Sequence, residues 1–69
     1  MSLNFRIFKE NSLNPDERFV ATLGEAAIIY SRYFADGYSV CLVEVESGVE
    51  YAMHDEQLVP LPYRRAHHG

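Results

Sequence analysis

The chain has 69 residues, a hydrophobic content of 48% and a formal net charge of −4. A chain of this length makes one domain, and this apolar content predicts a packed core rather than a disordered chain. The negative charge argues against direct binding to nucleic acid, because that binding depends on basic side chains that neutralise phosphates.

Targeting and redox signals are sparse. Cys41 is the only cysteine, which excludes an internal disulfide and a cysteine-rich zinc site. No apolar run approaches the roughly 18–20 residues of a membrane-spanning helix. The opening residues M-S-L-N-F-R lack the pattern of a signal peptide. We therefore expect a cytoplasmic protein that does not bind a membrane.

The two ends of the chain differ in pattern. Residues 3–8 alternate in polarity, as in a half-buried strand whose inner side chains are Leu3, Phe5 and Ile7. A polar stretch follows at residues 10–17, where an Asn-Pro-Asp run is a turn signal. Residues 62–69 show no periodicity, which predicts a flexible C-terminal tail after a single domain over residues 1–61.

Residues 19–34 permit two interpretations. A helix is favoured by Thr22 and Glu25, which have capping-box spacing, and by Gly37 as a C-terminal stop. Its apolar stripe would consist of Leu23, Ala26, Ala27, Tyr30 and Phe34. This interpretation gives an α+β fold, with one helix over residues 23–35 on a small antiparallel sheet.

The same region also has strand character. Phe19-Val20 and Ile28-Ile29-Tyr30 are β-branched or aromatic. Gly24 would weaken the first turn of a helix by about 1 kcal/mol relative to alanine. Asp36-Gly37 would then be a hairpin turn that joins a strand at 26–33 to one at 38–45.

The run G-Y-S-V-C-L-V-E-V-E-S-G-V-E-Y-A-M predicts an antiparallel hairpin. Strands at 40–45 and 49–53 flank a three-residue loop in which Gly48 takes the left-handed conformation. One face is wholly apolar in this register, which sets Val45 opposite Val49, Val43 opposite Tyr51, and Cys41 opposite Met53. A 3₁₀ elbow at 54–57 and a closing strand at 58–61 complete the prediction.

Four segments, V-A-T-L-G-E-A-A-I-I-Y, D-G-Y-S-V, S-G-V-E-Y-A-M and H-D-E-Q-L-V-P-L, resemble a small SH3-like β-barrel over residues 18–61. The resemblance implies a mainly β fold of bacterial or phage type and favours a strand at 26–33. The segment order is also similar to the plasmid-encoded type II dihydrofolate reductases, which are SH3-like tetramers around a central pore. Those enzymes carry V-Q-I-Y where this chain has V-E-Y-A, so the similarity implies the fold rather than the activity.

Two groups of side chains are candidates for a binding site, and the first is acidic. In the predicted register Glu44 and Glu50 face each other on the sheet and Glu46 lies beside them. Such a face suits a protein partner with a basic surface. A solvated face, or protection against edge-to-edge aggregation, explains the same residues.

The second group is aromatic, and its members flank the turn at residues 35–37: Tyr30, Tyr33, Phe34 and Tyr38. Aromatic-lined grooves bind extended peptides. A small domain also builds its core, or a contact between copies, from such residues. Both alternatives stay open.

Catalytic and metal-binding patterns are weak. His54-Asp55-Glu56 places a base beside two carboxylates, but a triad is defined by spatial geometry rather than by adjacency in sequence. His67 and His68 match no ligand spacing with Cys41. We expect no cofactor, no metal site and no enzymatic activity.

The sequence therefore predicts a non-enzymatic protein-interaction module. We expect it to be a homo-oligomer, because a small chain without disulfide or metal gains stability from oligomerisation. Two other functions stay open. One is an oligomeric small-ligand-binding protein or weak enzyme with its site at the symmetry axis. The other is an acidic decoy that occupies a basic, nucleic-acid-binding surface of another protein.

Overall fold

A computed structural model describes residues 3–61 of the chain. The elements follow in the order β1 (Phe5–Lys9), β2 (Arg18–Val20), α1 (Leu23–Ala35), β3 (Val40–Glu44), β4 (Glu50–His54) and β5 (Gln57–Pro60). The expectation of a mainly β fold is confirmed. The predicted tail at 62–69 lies outside the described residues.

The strands form one antiparallel sheet in the order β2-β1-β3-β4-β5. α1 packs on one face of this sheet, mainly over β1 and β3. We call this face the inner face and the opposite one the outer face. Within the described residues the sheet is open, with β2 at one edge and β5, which ends at Pro60, at the other. The predicted barrel closure is therefore wrong, because β5 pairs with β4 and does not reach β2.

Residues 23–35 are helical, so the prediction of a strand at 26–33 is wrong and the alternative interpretation is confirmed. The Thr22 hydroxyl accepts the backbone N–H of Glu25, and the Glu25 carboxylate accepts the N–H of Ala21. The first of these bonds satisfies one of the N–H groups that a helix start leaves unpaired, and the second satisfies the N–H of the residue before the N-cap. This capping outweighs the β-propensity of the isoleucines that follow.

The C-terminal end of α1 is fixed by Gly37, which has a φ of 92°. Its N–H donates to the Phe34 carbonyl, and the Tyr38 N–H donates to the Tyr33 carbonyl. This pair of bonds is a Schellman motif, in which glycine supplies the left-handed residue after the helix. Gly37 therefore ends a helix and does not form the predicted hairpin turn.

The core lies between α1 and the inner face. Ile7 and Leu42 are paired in the β1–β3 ladder and both are 0% exposed. The other residues of the buried cluster are Phe5, Val20, Ala26, Tyr30 and Tyr33. Tyr33 takes the place that the predicted helical stripe gave to Phe34, which is 68% exposed.

The β3–β4 hairpin is present, but its register is shifted by one residue from the predicted one. Leu42 pairs with Tyr51, and Val43 pairs with Glu50. The predicted pairing of Val43 with Tyr51 is therefore wrong. Cys41, expected on the core face, lies on the outer face, because Leu42 next to it points into the core.

The shift originates in the hairpin loop. The Glu44 N–H donates to the Val49 carbonyl and the Gly48 N–H donates to the Glu44 carbonyl. These bonds enclose four residues, 45–48, instead of the predicted three. Gly48 has a φ of 75°, so its predicted left-handed conformation is confirmed. One extra loop residue moves each side chain of β4 to the opposite face relative to β3.

β4 and β5 are joined by a two-residue turn at Asp55 and Glu56, with His54 paired to Gln57. Both turn residues have positive φ, 52° and 64°. Two positive φ values define a type I′ hairpin. The predicted 3₁₀ elbow at 54–57 is therefore wrong, while a strand after it is present at Gln57–Pro60.

This turn gives a stability prediction. Replacing Glu56 with glycine should raise the free energy of unfolding by about 0.5–1 kcal/mol, because left-handed backbone is costly for any residue with a Cβ atom. Glu46→Gly is the matched control: it lies in the other hairpin loop without a positive φ, so this variant should be destabilised. Urea unfolding followed by circular dichroism measures both, and a destabilised Glu56→Gly would contradict the turn assignment.

Candidate interaction surfaces

The outer face carries an apolar surface that no described element covers. Side chains alternate along each strand, so the residues between core positions point away from α1. Six of these are apolar: Phe8, Phe19, Cys41, Val43, Ala52 and Val59. Phe19 is 45% exposed, Cys41 is buried, and the other four are half-buried. Antiparallel sheets commonly place polar side chains on an uncovered face, and this sheet departs from that pattern.

Two charged residues interrupt the apolar surface of the outer face. Arg6 pairs with Val43 across β1 and β3, and Val43 pairs with Glu50 across β3 and β4. The Arg6 guanidinium contacts the Glu17 carboxylate and lies 4.4 Å from the centroid of the Phe8 ring. Arg6 and Glu50 therefore flank Val43 with opposite charges.

The structure separates the predicted acidic face. Glu44 follows Leu42 on the inner side of the sheet, whereas Glu50 lies on the outer face. Glu46 is exposed in the hairpin loop. The prediction that these three carboxylates converge on one face is wrong, because the register shift places β4 side chains on the opposite face.

The aromatic group divides between two environments. A groove of about 230 Å³ lies beside the C-terminal half of α1 and is lined by Tyr30, Ser31, Phe34, Ala35 and Met53. Tyr30 and Phe34 also line a wider cleft of about 500 Å³ together with Tyr38. Tyr33 is buried in the core and lines neither. Three of the four predicted aromatic residues therefore share a surface.

The side chain of Tyr33 stabilises the fold and is not part of a binding surface. Its hydroxyl donates to the backbone carbonyl of Asp16 at 2.8 Å. Burial raises the pKa of Tyr33, hydrogen bonding to Asp16 and the Asp16 charge raise it further, and Arg18 acts in the opposite direction. The Lys9 ammonium lies 5.0 Å from the Tyr33 ring centroid and 4.3 Å from that of Tyr38. These contacts connect the turn at Asp16 to the end of α1.

The sequence interpretation missed the outer face as a candidate site. It assigned Cys41 and Val43 to the core, because it assumed a three-residue hairpin loop. A signal was nevertheless present, since β3 is apolar at four consecutive positions, V-C-L-V. A strand of this kind carries apolar side chains on both faces of its sheet.

Comparison with protein-family models, curated proteins and solved structures finds no match to the chain. Among residues 3–61, no helix is long and apolar enough to cross a membrane. In the same part of the chain, no three histidine, cysteine or acidic side chains come together as metal ligands would. Candidate surfaces among the described residues are therefore the outer face, the groove beside α1 and the wider cleft that shares Tyr30 and Phe34 with the groove.

Proposed function

We propose that this chain is a non-enzymatic protein-interaction module that binds through the outer face of its sheet. The observation that supports this best is the set of apolar side chains on a sheet face that no described element covers. Monomeric proteins rarely expose a contiguous apolar surface of more than a few hundred Å², and larger ones mark contacts with other molecules.

Covering this face with another protein is energetically favourable. Each Å² of apolar surface removed from water contributes about 25 cal/mol. Phe8 and Phe19 supply aromatic side chains, which are enriched at the centres of interfaces. Arg6, in its ion pair with Glu17, and Glu50 add polar groups that help to orient a partner.

The groove beside α1 supports a second candidate, a site for an extended or small ligand. Phe34 is exposed on its wall, next to Tyr30 and Met53. The groove has a volume of about 230 Å³, below the roughly 300–1,000 Å³ of typical small-molecule sites, whereas the wider cleft of about 500 Å³ that shares Tyr30 and Phe34 with it is within that range. A ligand of this kind would therefore occupy the cleft as well as the groove. The acidic-decoy function stays a prediction, but the residues that motivated it do not share a face.

Val43→Lys and Phe34→Ala distinguish the two surfaces. Neither side chain belongs to the buried core, so both variants should fold. Immobilised wild-type protein should capture a specific protein from a lysate of the organism that encodes it. Val43→Lys should weaken this capture at least about tenfold, and Phe34→Ala should retain it. If Phe34→Ala weakens the capture and Val43→Lys retains it, the binding site is the groove and not the outer face.

A further inference from the structure

We propose that the groove and the cleft beside α1 form one site for a small, uncharged aromatic molecule with an amide-type edge, in which a hydrogen-bond donor stands next to an acceptor. The inference rests on the second candidate function, the ligand site beside α1, and does not depend on the outer face. The edge of the ligand binds backbone groups of Val40 and Met53, at the place where β3 and β4 separate.

β4 separates from β3 while it continues to follow β5. It pairs with β3 at two positions and with β5 at four. The β3–β4 ladder ends at Leu42 and Tyr51. The next pair of the same kind, Val40 with Met53, is not formed within the described sheet, although both residues belong to their strands. A gap therefore opens between these two strands at this end of the sheet.

The backbone groups of Val40 are directed into this gap. Along an antiparallel strand, the N–H and C=O groups of successive residues point to the two neighbouring strands in turn. The Glu44 N–H donates to the Val49 carbonyl, on the side of β4. The Ser39 carbonyl accepts the N–H of Glu10, on the side of β1. Val40 is an even number of residues from Glu44, so its N–H and C=O groups are directed toward β4.

The backbone groups of Met53 are directed into the gap from the other side. On β4, the Glu50 carbonyl accepts the N–H of Leu61, which follows β5. Residues at odd spacing from Glu50 therefore direct their groups toward β3, and Met53 is one of them. Since Val40 and Met53 do not form a ladder pair, at least one donor and one acceptor stay available to a ligand.

The apolar walls of the site come from α1 and from the side chains beside the gap. Tyr30 and Phe34 lie one turn apart on α1 and line both the groove and the cleft. Met53 lines the groove and Val40 lines the cleft, so the gap lies between the two volumes. Aromatic rings stack on flat rings, and the flexible thioether of methionine adapts to their edges. These walls suit a flat aromatic molecule.

Size and charge restrict the ligand further. The cleft has a volume of about 500 Å³ and the groove one of about 230 Å³, which is sufficient for a small molecule. Between β3 and β4 of the described sheet only one ladder position is open. An extended peptide needs a run of such positions, so a single amide or lactam group fits better. The net charge of −4 disfavours an anionic ligand.

Isocarbostyril is a suitable probe, because its lactam places an N–H next to a C=O on a flat aromatic system. Added to the isotope-labelled full chain, it should shift the amide resonances of Val40 and Met53 saturably, with a dissociation constant of about 1 mM. N-methylisocarbostyril lacks the donor and should bind at least about threefold more weakly. Valerolactam keeps the lactam without the aromatic ring and should also bind at least about threefold more weakly.

Two variants test the aromatic wall. Phe34→Ala should weaken the binding of isocarbostyril at least about threefold, because one stacking surface is lost. Ile28→Ala is the matched control, since Ile28 is 67% exposed on the same helix and lines neither volume. This variant should bind isocarbostyril as the wild-type protein does. Circular dichroism verifies that both variants fold.

The possible failures can be told apart. Equal affinity for isocarbostyril and its N-methyl derivative, shifts that spare Val40 and Met53, or unchanged binding by Phe34→Ala would overturn the inference. If none of the three probes binds below about 10 mM, the second candidate function is wrong as well. Neither result alters the capture expected through the outer face, which Val43→Lys tests separately.

Discussion

Replacing Ile7 with alanine should lower the free energy of unfolding by about 2–5 kcal/mol. Ile7 is 0% exposed and pairs with Leu42 beneath α1. Removing three carbon atoms there leaves a cavity that close-packed neighbours fill only in part. A domain of this size rarely has more than about 3–5 kcal/mol of stability in total. A large fraction of the variant should therefore be unfolded without denaturant.

Ile28→Ala is the matched control for this prediction, since it removes the same atoms from a helical residue that is 67% exposed. Its free energy of unfolding should change by less than about 0.5 kcal/mol. Ile7→Val, with an expected loss of about 0.5–1.5 kcal/mol, gives a measurable transition if Ile7→Ala is fully unfolded. Urea unfolding followed by circular dichroism measures all three. Equal losses for Ile7→Ala and Ile28→Ala would contradict the described core.

Tyr33→Phe should lower the free energy of unfolding by about 1 kcal/mol near neutral pH, because the Asp16 carbonyl loses its hydrogen bond from the hydroxyl. The substitution keeps the ring, and with it the packing against the core and the Lys9 contact. Tyr38→Phe is the matched control, because its ring also lies beneath the Lys9 ammonium. It should retain most of the wild-type stability.

The Tyr33 hydroxyl should also make stability depend on alkaline pH. Its pKa is raised in the folded protein above the ordinary tyrosine value of 10.0. The contribution of the neutral phenol is therefore complete below about pH 10. Above that pH the unfolded chain releases the phenolic proton first, so stability falls until the pH passes the raised pKa.

Urea unfolding between about pH 8 and pH 11 measures this alkaline loss of stability. Tyr33→Phe should lose less stability over this interval than the wild-type protein, because it has no phenolic proton at position 33. Identical slopes for the wild-type protein and Tyr33→Phe would show that the buried hydroxyl does not titrate as described.

Local signals were sufficient to predict α1. Thr22, Glu25 and Gly37 each indicated a helix boundary, and all three act there in the structure. The strand interpretation failed because it followed a resemblance to barrels and set these residues aside. Capping residues satisfy backbone groups within a few positions of themselves, so their effect can be read without knowledge of the tertiary fold.

The register of β3 and β4 could not be predicted in the same way. β3 is apolar at Val40, Cys41, Leu42 and Val43, so alternation does not show which side chains belong to the core. A strand with two apolar faces specifies its register weakly, so the length of the hairpin loop determines which residues of β3 and β4 are paired. Loops of three and four residues both accommodate Gly48 in its left-handed conformation.

The prediction of an acidic binding site depended on the register of β3 and β4. The prediction of an acidic face required Glu44 and Glu50 to share one side of the sheet, and a shift of one residue removed it. The groove depended on the helix, because Tyr30 and Phe34 lie one turn apart in α1 and so line the same wall. The apolar outer face can be recognised only when the pairing register of every strand is known, because that register determines which side chains lie together on one face.

The two edges of the sheet have a consequence for fibril formation. β2 offers only three residues, and β5 ends at Pro60, which has no N–H to donate. An incoming strand therefore finds few hydrogen-bonding partners at either edge of the described sheet, and elongation strand by strand is disfavoured. A partner that covered the outer face would be different, since it would leave no surface there for a further chain to bind. Association of that kind ends in a particle of fixed size, whereas edge addition would continue without limit.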